Sequence, residues 1–170
     1  MIIVSGPDNS GKTTLVKRLC EDLGLNNMPK CTSLPLWANP DDYFDWVMST
    51  LARGQANDIV DRCYIDELVY GPVMRGKISF SPMQIDLANK LFEACQPLLI
   101  VTDPGLVAIS RSYAERDQYP ELRENLAVRE EYYSVLKNRP FSEVPKYIFD
   151  YRFDPDYQLV KSFVKDFIRR

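Results

Sequence analysis

Residues 6–14, GPDNSGKTT, constrain the fold more than any other stretch of the chain. Gly6 and Gly11 bracket four residues, and Lys12, Thr13 and Thr14 follow. This is the spacing of a phosphate-binding loop. Such a loop turns inward-pointing N–H groups and the partial positive charge of a helix start toward an anion. It therefore needs a buried strand before it and a helix after it. Both are present in the pattern. MIIVS is a short apolar run rich in β-branched residues, as in a strand buried on both faces. GKTTLVKRLCEDLG spaces Leu15, Leu19 and Leu23 four apart and stops at Gly24, as a helix does.

The alternation continues downstream. Residues 25–40 are irregular, with a short strand expected near KCTSL. NPDDYFDWVMSTLARG predicts a helix capped by Asn39, with Pro40 in its first turn. NDIVDR predicts a second buried strand. CYIDELVYGPVMRG starts as a helix and is expected to break at Gly71-Pro72. SPMQIDLANKLFEAC is a helix with Ser81 as its cap. PLLIVTD is a third strand, and a charged stretch with arginines covers residues 111–123. ELRENLAVREEYYSVLK is a long helix, KYIFDY a strand, and PDYQLVKSFVKDFIRR the last helix. Strands alternating with helices predict an α/β fold in one domain over residues 1–170: a parallel sheet of about five strands with helices on both faces. Ligands in such folds bind beyond the carboxyl ends of the strands. Asp8, Asp61, Arg62, Asp103 and Asp150 each follow an apolar run there.

Composition removes several chemistries. The chain has 170 residues, net charge −3 and no histidine. Histidine bases, histidine-containing zinc sites and Ser-His-Asp triads are excluded. Cys20, Cys31, Cys63 and Cys95 form no C-x-x-C pair and are expected to be reduced thiols. The charge and the lack of a basic tail argue against a general nucleic-acid binder. The first apolar run ends at the glycine loop rather than at a cleavage site, and no run is long enough to span a bilayer. A cytoplasmic protein without a membrane partner is expected.

The loop places Gly6, Asn9, Ser10, Gly11, Lys12, Thr13 and Thr14 around the phosphates of a nucleotide such as ATP. Lys12 supplies a point charge on the outer phosphates, and the Thr13 hydroxyl is a ligand for Mg²⁺.

The second informative stretch is VDRCYIDELVYGPVMRGK, residues 60–77. Asp61-Arg62 ends a strand, a helix carries Val69-Tyr70-Gly71, and Arg75-Gly76 follows. With Asp8 placed two residues after the first glycine of the loop, this pattern resembles the thymidylate kinase family of P-loop nucleotide kinases. It is more loosely similar to the deoxynucleoside kinases, and the compact chain looks like a phage member. The likeness covers most of the chain, but only the loop and residues 60–77 carry specific motifs.

The resemblance implies ATP- and Mg²⁺-dependent phosphoryl transfer to a deoxynucleoside monophosphate, dTMP or a related pyrimidine, giving the diphosphate. It implies that Arg62 clamps the acceptor phosphate. Asp61 holds Mg²⁺ or positions the attacking oxygen, and Asp8 accepts from the sugar 3′-hydroxyl. Tyr70 and Arg75 also reach the acceptor. Some relatives carry an arginine where Asn9 stands and others bring arginines from a lid, which the resemblance places near residues 110–123 here, so Arg111 and Arg116 are the catalytic candidates. An aromatic among Trp37, Tyr43 and Phe44 would stack on the acceptor base, and Arg152 would lie against adenine. A homodimer is the implied assembly.

The chain also departs from the pattern. TSLPLWANP stands in place of an Arg-Glu-Pro-Gly stretch, and Gly71 in place of a glutamine. No arginine for reading thymine is evident. All three departures concern the acceptor. The alternatives are a kinase of a hydroxyl acceptor, either a deoxynucleoside or a hydroxymethyl-pyrimidine in DNA, and a nucleotide-binding switch or ATPase with no small acceptor.

Overall fold

The structure is a computed structural model that describes residues 1–29, 39–114 and 120–169. The elements run β1 (Ile2–Ser5), α1 (Lys12–Leu23), β2 (Asn26–Asn27), α2 (Pro40–Arg53), β3 (Asp58–Asp61), α3 (Tyr64–Arg75), α4 (Pro82–Cys95), β4 (Leu98–Thr102), α5 (Gly105–Ala114), α6 (Leu122–Val135), β5 (Lys146–Phe149) and α7 (Asp154–Ile168). All five strands are parallel, in the order β2-β3-β1-β4-β5.

Period-two alternation sends successive strand residues to opposite faces. Ile3, Val60, Leu99 and Val101 pack under α2, α3, α4 and α6, with Val47, Tyr64, Phe92 and Tyr132. Ile2, Val4, Ile59, Leu98 and Ile100 pack under α1 and α7, with Leu19, Val160 and Val164. Both faces are covered, so the strands read as unbroken apolar runs rather than alternating ones. Burying each of these side chains contributes roughly 1.5–3 kcal/mol before the entropy of ordering is set against it. No helix of the described residues is long and apolar enough to cross a membrane.

Three local features add to the sequence expectations, and the third revises one of them. The second strand of the chain is the pair Asn26–Asn27 at the sheet edge, while KCTSL lies outside the described residues. The charged stretch before residue 115 is helical, as α5. The helix that begins at Tyr64 does not break at Gly71-Pro72; it runs through to Arg75. Pro72 forfeits one N–H, yet its carbonyl still accepts from Gly76 N at 3.0 Å. Burial and a cross-proline ion pair hold the rest. Val69, Tyr70 and Gly71 are buried, and Arg75 Nη2 donates to both Glu67 carboxylate oxygens at 2.6 Å. Gly71 has its own role in this packing. A Cβ there would come within 3.0 Å of Lys77 O and of Glu67 Oε1, so glycine lets residues 77–79 cross close over α3.

Candidate active site

The loop between β1 and α1 takes its shape from three residues with positive φ: Gly6 at 144°, Asn9 at 60° and Gly11 at 89°. At Gly6 a side chain is also excluded by space, because a Cβ would lie 2.5 Å from Thr102 O. Ser10 Oγ donates to Pro7 O at 2.7 Å and meets the Thr102 hydroxyl, and Thr102 Oγ1 donates to Ser5 O. β4 thus braces the loop from behind.

Lys12 closes the cradle. Its ammonium donates to Gly6 O at 2.9 Å and Pro7 O at 2.6 Å and is buried. Burial, with Arg62 nearby, pushes its pKa down to about 7. Thr13 Oγ1 donates to Asp61 Oδ2 at 2.7 Å, which brings the end of β3 to the first turn of α1.

Arg62 enters the same space from the other side. Its backbone is in the left-handed region, φ 75°, and its N–H still extends the ladder to Val4 O. The buried guanidinium donates through Nη2 to Asp8 Oδ1 and through Nη1 to Asp66 Oδ1. It lies over the Tyr70 ring, 4.7 Å from the centroid, and Tyr70 OH reaches Gly6 O at 3.4 Å. Asp8, Asn9, Gly11, Lys12, Thr13, Thr14 and Arg62 together line one cleft of about 250 Å³.

A second cleft, of about 380 Å³, opens on the outer side of the loop. Its walls include Gly11, Thr14, Arg18, Tyr151, Phe153 and Tyr157. Arg18 stacks on Tyr157, 3.5 Å from guanidinium carbon to ring centroid. Gly11 matters here because a Cβ would lie 3.0 Å from the Tyr151 ring. Arg152 is not a wall residue; it pairs with Asp150 and passes over Gly105.

The remaining sequence candidates are spread more widely. Arg75 is held by Glu67, which also accepts from Ser79 N. Tyr43 is buried, its ring 5.4 Å from that of Phe80. Arg111 is exposed on α5. Trp37 and Arg116 lie outside the described residues.

Several participants escape the sequence reading. Asn125 of α6 clamps the loop: its amide accepts from Asp8 N at 2.8 Å and donates to Asp8 O at 3.0 Å. Asp66 receives four donors. Arg129 and Tyr133 hold Asp103 at the end of β4, and keep its carboxyl below the usual range although burial alone would raise it. Asn125 did carry a signal. It shares a helix face with Val128 and Tyr132, both buried, and a polar residue on an apolar face calls for a partner.

These features of loop, helix and sheet match solved structures over nearly their full length. The chain is similar to the YorR protein of Bacillus subtilis, in complex with phosphorylated GDP: TM-score 0.75 and 20% identity, over 99% of this chain and 95% of that one. It is also similar to the deoxyadenosine kinase of M. mycoides with the products dCMP and dCDP, at TM-score 0.63 and 14% identity, over 97% and 98%.

The fold is that of the P-loop nucleotide and nucleoside kinases.

A gluconokinase from Sinorhizobium meliloti shares it at TM-score 0.52 and 14% identity, over 99% of this chain and 86% of that one. A deoxyadenosine kinase and a gluconokinase on one P-loop kinase fold mean that the fold does not select the acceptor. No protein-family model and no curated protein matches the sequence.

Proposed function

We propose that the protein transfers the γ-phosphoryl group of ATP to a pyrimidine deoxynucleoside monophosphate of the dTMP class, giving the diphosphate. One observation carries this reading: Lys12 and Arg62 line the same cleft. Phosphoryl transfer asks a protein for positioning and positive charge around two anions, and little covalent chemistry. The loop amides and Lys12 take the donor phosphates, with Gly6, Asn9, Ser10, Gly11, Thr13 and Thr14 forming the cradle. Arg62 takes the acceptor phosphate as a bidentate fork. The aromatic cleft beside Arg18 and Tyr157 receives the donor base, with Arg152 at its edge.

The Thr13 hydroxyl and the Asp61 carboxylate are hard oxygen ligands at 2.7 Å from each other. That donor set fits Mg²⁺, which keeps most of its waters and substrate phosphates as ligands. When bound, the ion would neutralise charge on the phosphates. The chain's own residues do the orienting: Asp8 accepts from the acceptor sugar, Tyr70 and Arg75 border it, and Tyr43 or Trp37 backs its base. Arg111 and Arg116 come from the lid, which excludes water as it closes. A cytoplasmic homodimer belongs to the same reading.

A second reading, a hydroxyl acceptor, is favoured by one observation. The Asp8 carboxylate sits in the cleft against Arg62, where it could take a proton from an attacking hydroxyl. Incubation with γ-labelled ATP and, separately, dTMP, thymidine and hydroxymethyluracil-containing DNA separates the two. Label in dTDP is expected. Label in dTMP or in DNA alone would overturn the monophosphate reading, and phosphate release without any labelled acceptor would overturn transfer itself.

A further inference from the structure

Arg62 carries two carboxylates, and they are not equivalent. Asp8 is about a quarter exposed, with 28% of its side-chain surface accessible, whereas Asp66 retains 4%. Asp8 lies on the loop and lines the cleft. Asp66 lies behind it, in the first turn of α3.

The two oxygens of Asp66 divide their work. Oδ2 accepts from Cys63 N at 2.9 Å and from Ser5 Oγ at 2.8 Å. That oxygen serves the start of α3, where a carboxylate at the third position returns a bond to the capping residue. Oδ1 accepts from Tyr132 OH at 2.6 Å and from Arg62 Nη1 at 3.3 Å. Helix capping requires nothing of Oδ1. A buried carboxylate that accepts from donors on both oxygens is held in place, so the edge of Arg62 it holds is fixed too. The opposite edge, Nη2, is left facing the cleft beside Asp8.

We propose that Asp66 is the positioning residue for Arg62: it pins Nη1 behind the cleft and so presents Nη2 to the phosphate of the acceptor. Tyr132, from the helix that follows the lid, sets the orientation of that carboxylate. The inference rests on the proposed role of Arg62 as the acceptor clamp. It adds a residue that touches neither substrate.

Asp66→Asn discriminates between the cap and the anchor. The amide oxygen can keep Cys63 N and Ser5 Oγ, while the amide nitrogen then turns toward Arg62 Nη1, donor against donor. Calorimetric titration with dTMP and, separately, with a non-hydrolysable ATP analogue is the measurement, beside the thermal midpoint. The expected result is a loss of dTMP affinity on the order of tenfold or more, with affinity for the ATP analogue within about twofold. Tyr132→Phe removes one donor from Oδ1 and leaves Arg62 untouched. It should shift dTMP affinity a few-fold in the same direction, and it serves if Asp66→Asn does not fold. Equal loss of both ligands, or retention of dTMP affinity in both variants, would overturn the anchor. Arg62→Ala is the separate control. If it leaves dTMP affinity unchanged, the clamp itself fails; if it weakens dTMP while the Asp66 and Tyr132 variants do not, only the anchor fails.

Discussion

The two sides of the central cleft present positive charge by different means. The loop side is main chain: its shape is set by positive φ at Gly6, Asn9 and Gly11, and its one full positive charge in the cleft is Lys12. The β3 side is a single guanidinium held by side chains that come from the loop and from α3. Backbone amides are preorganised by the fold and cannot be removed one at a time by substitution. A guanidinium held by the Asp8 and Asp66 carboxylates can be removed, or deprived of a partner, by a single substitution. On the proposed reading, the main-chain side would hold the donor and the guanidinium side the acceptor.

The largest expected effect tests the one side chain on which the loop side depends. Lys12→Ala should lower kcat by on the order of 10²–10³-fold or more, as removal of a preorganised charge does. It should not lower the thermal midpoint. The ammonium is buried among carbonyl groups, and burial opposes its charge, so its loss relieves a cost. Steady-state kinetics and a melting curve decide it. A variant that keeps most of its activity would mean that the amides suffice, and the contrast between the two sides would sharpen further.

The same lysine gives a prediction in pH. Its pKa is about 7 in the ligand-free fold, against a usual 10.5. Between those values the unfolded chain binds a proton that the folded chain has released. Stability contributed by this group therefore rises with pH across that window. Donor phosphates favour the charged form and draw the proton back. At about pH 8, nucleotide binding should take up close to one proton, and at about pH 6 almost none. Titrations in two buffers of different ionisation enthalpy measure the uptake. Uptake that is equal at both pH values, or that persists in Lys12→Ala, would assign it elsewhere.

What could be read in the sequence follows the same division. The loop side is contiguous: strand, glycines, lysine and helix lie within residues 2–23, and their spacing alone orders them. Arg62 was legible because it ends a strand. The network around its partner Asp66 was not, since Asp66 reaches Ser5 and Tyr132 across 61 and 66 residues, and no local pattern links them. Asn125, which clamps Asp8 from 117 residues away, is hidden in the same way. The helix across Pro72 was misread because proline's local cost is real, yet Glu67 and Arg75 bridge it and Gly71 lets the following turn pack against it. The segment after β5, expected to lie against adenine, contributes Tyr151, Phe153 and Tyr157 to a cleft that Arg18 of α1 also lines. Arg152, the arginine named for it, pairs with Asp150.

Arg18 carries the smallest expected effect. It is exposed and stacked on Tyr157, in a cleft whose other walls include Gly11, Tyr151 and Phe153. An exposed cation–π contact contributes about 0.5–1 kcal/mol, which corresponds to roughly a two- to fivefold change in affinity. Arg18→Ala should therefore raise the KM for ATP by about that factor, leave the KM for dTMP unchanged, and leave kcat nearly intact. Tyr157 keeps its own bonds to Asp22 and Arg18 O, so the wall should stand without the guanidinium. A loss of a hundredfold would show that the donor side, like the acceptor side, hangs on one arginine, and the contrast between a main-chain cradle and a side-chain clamp would no longer hold.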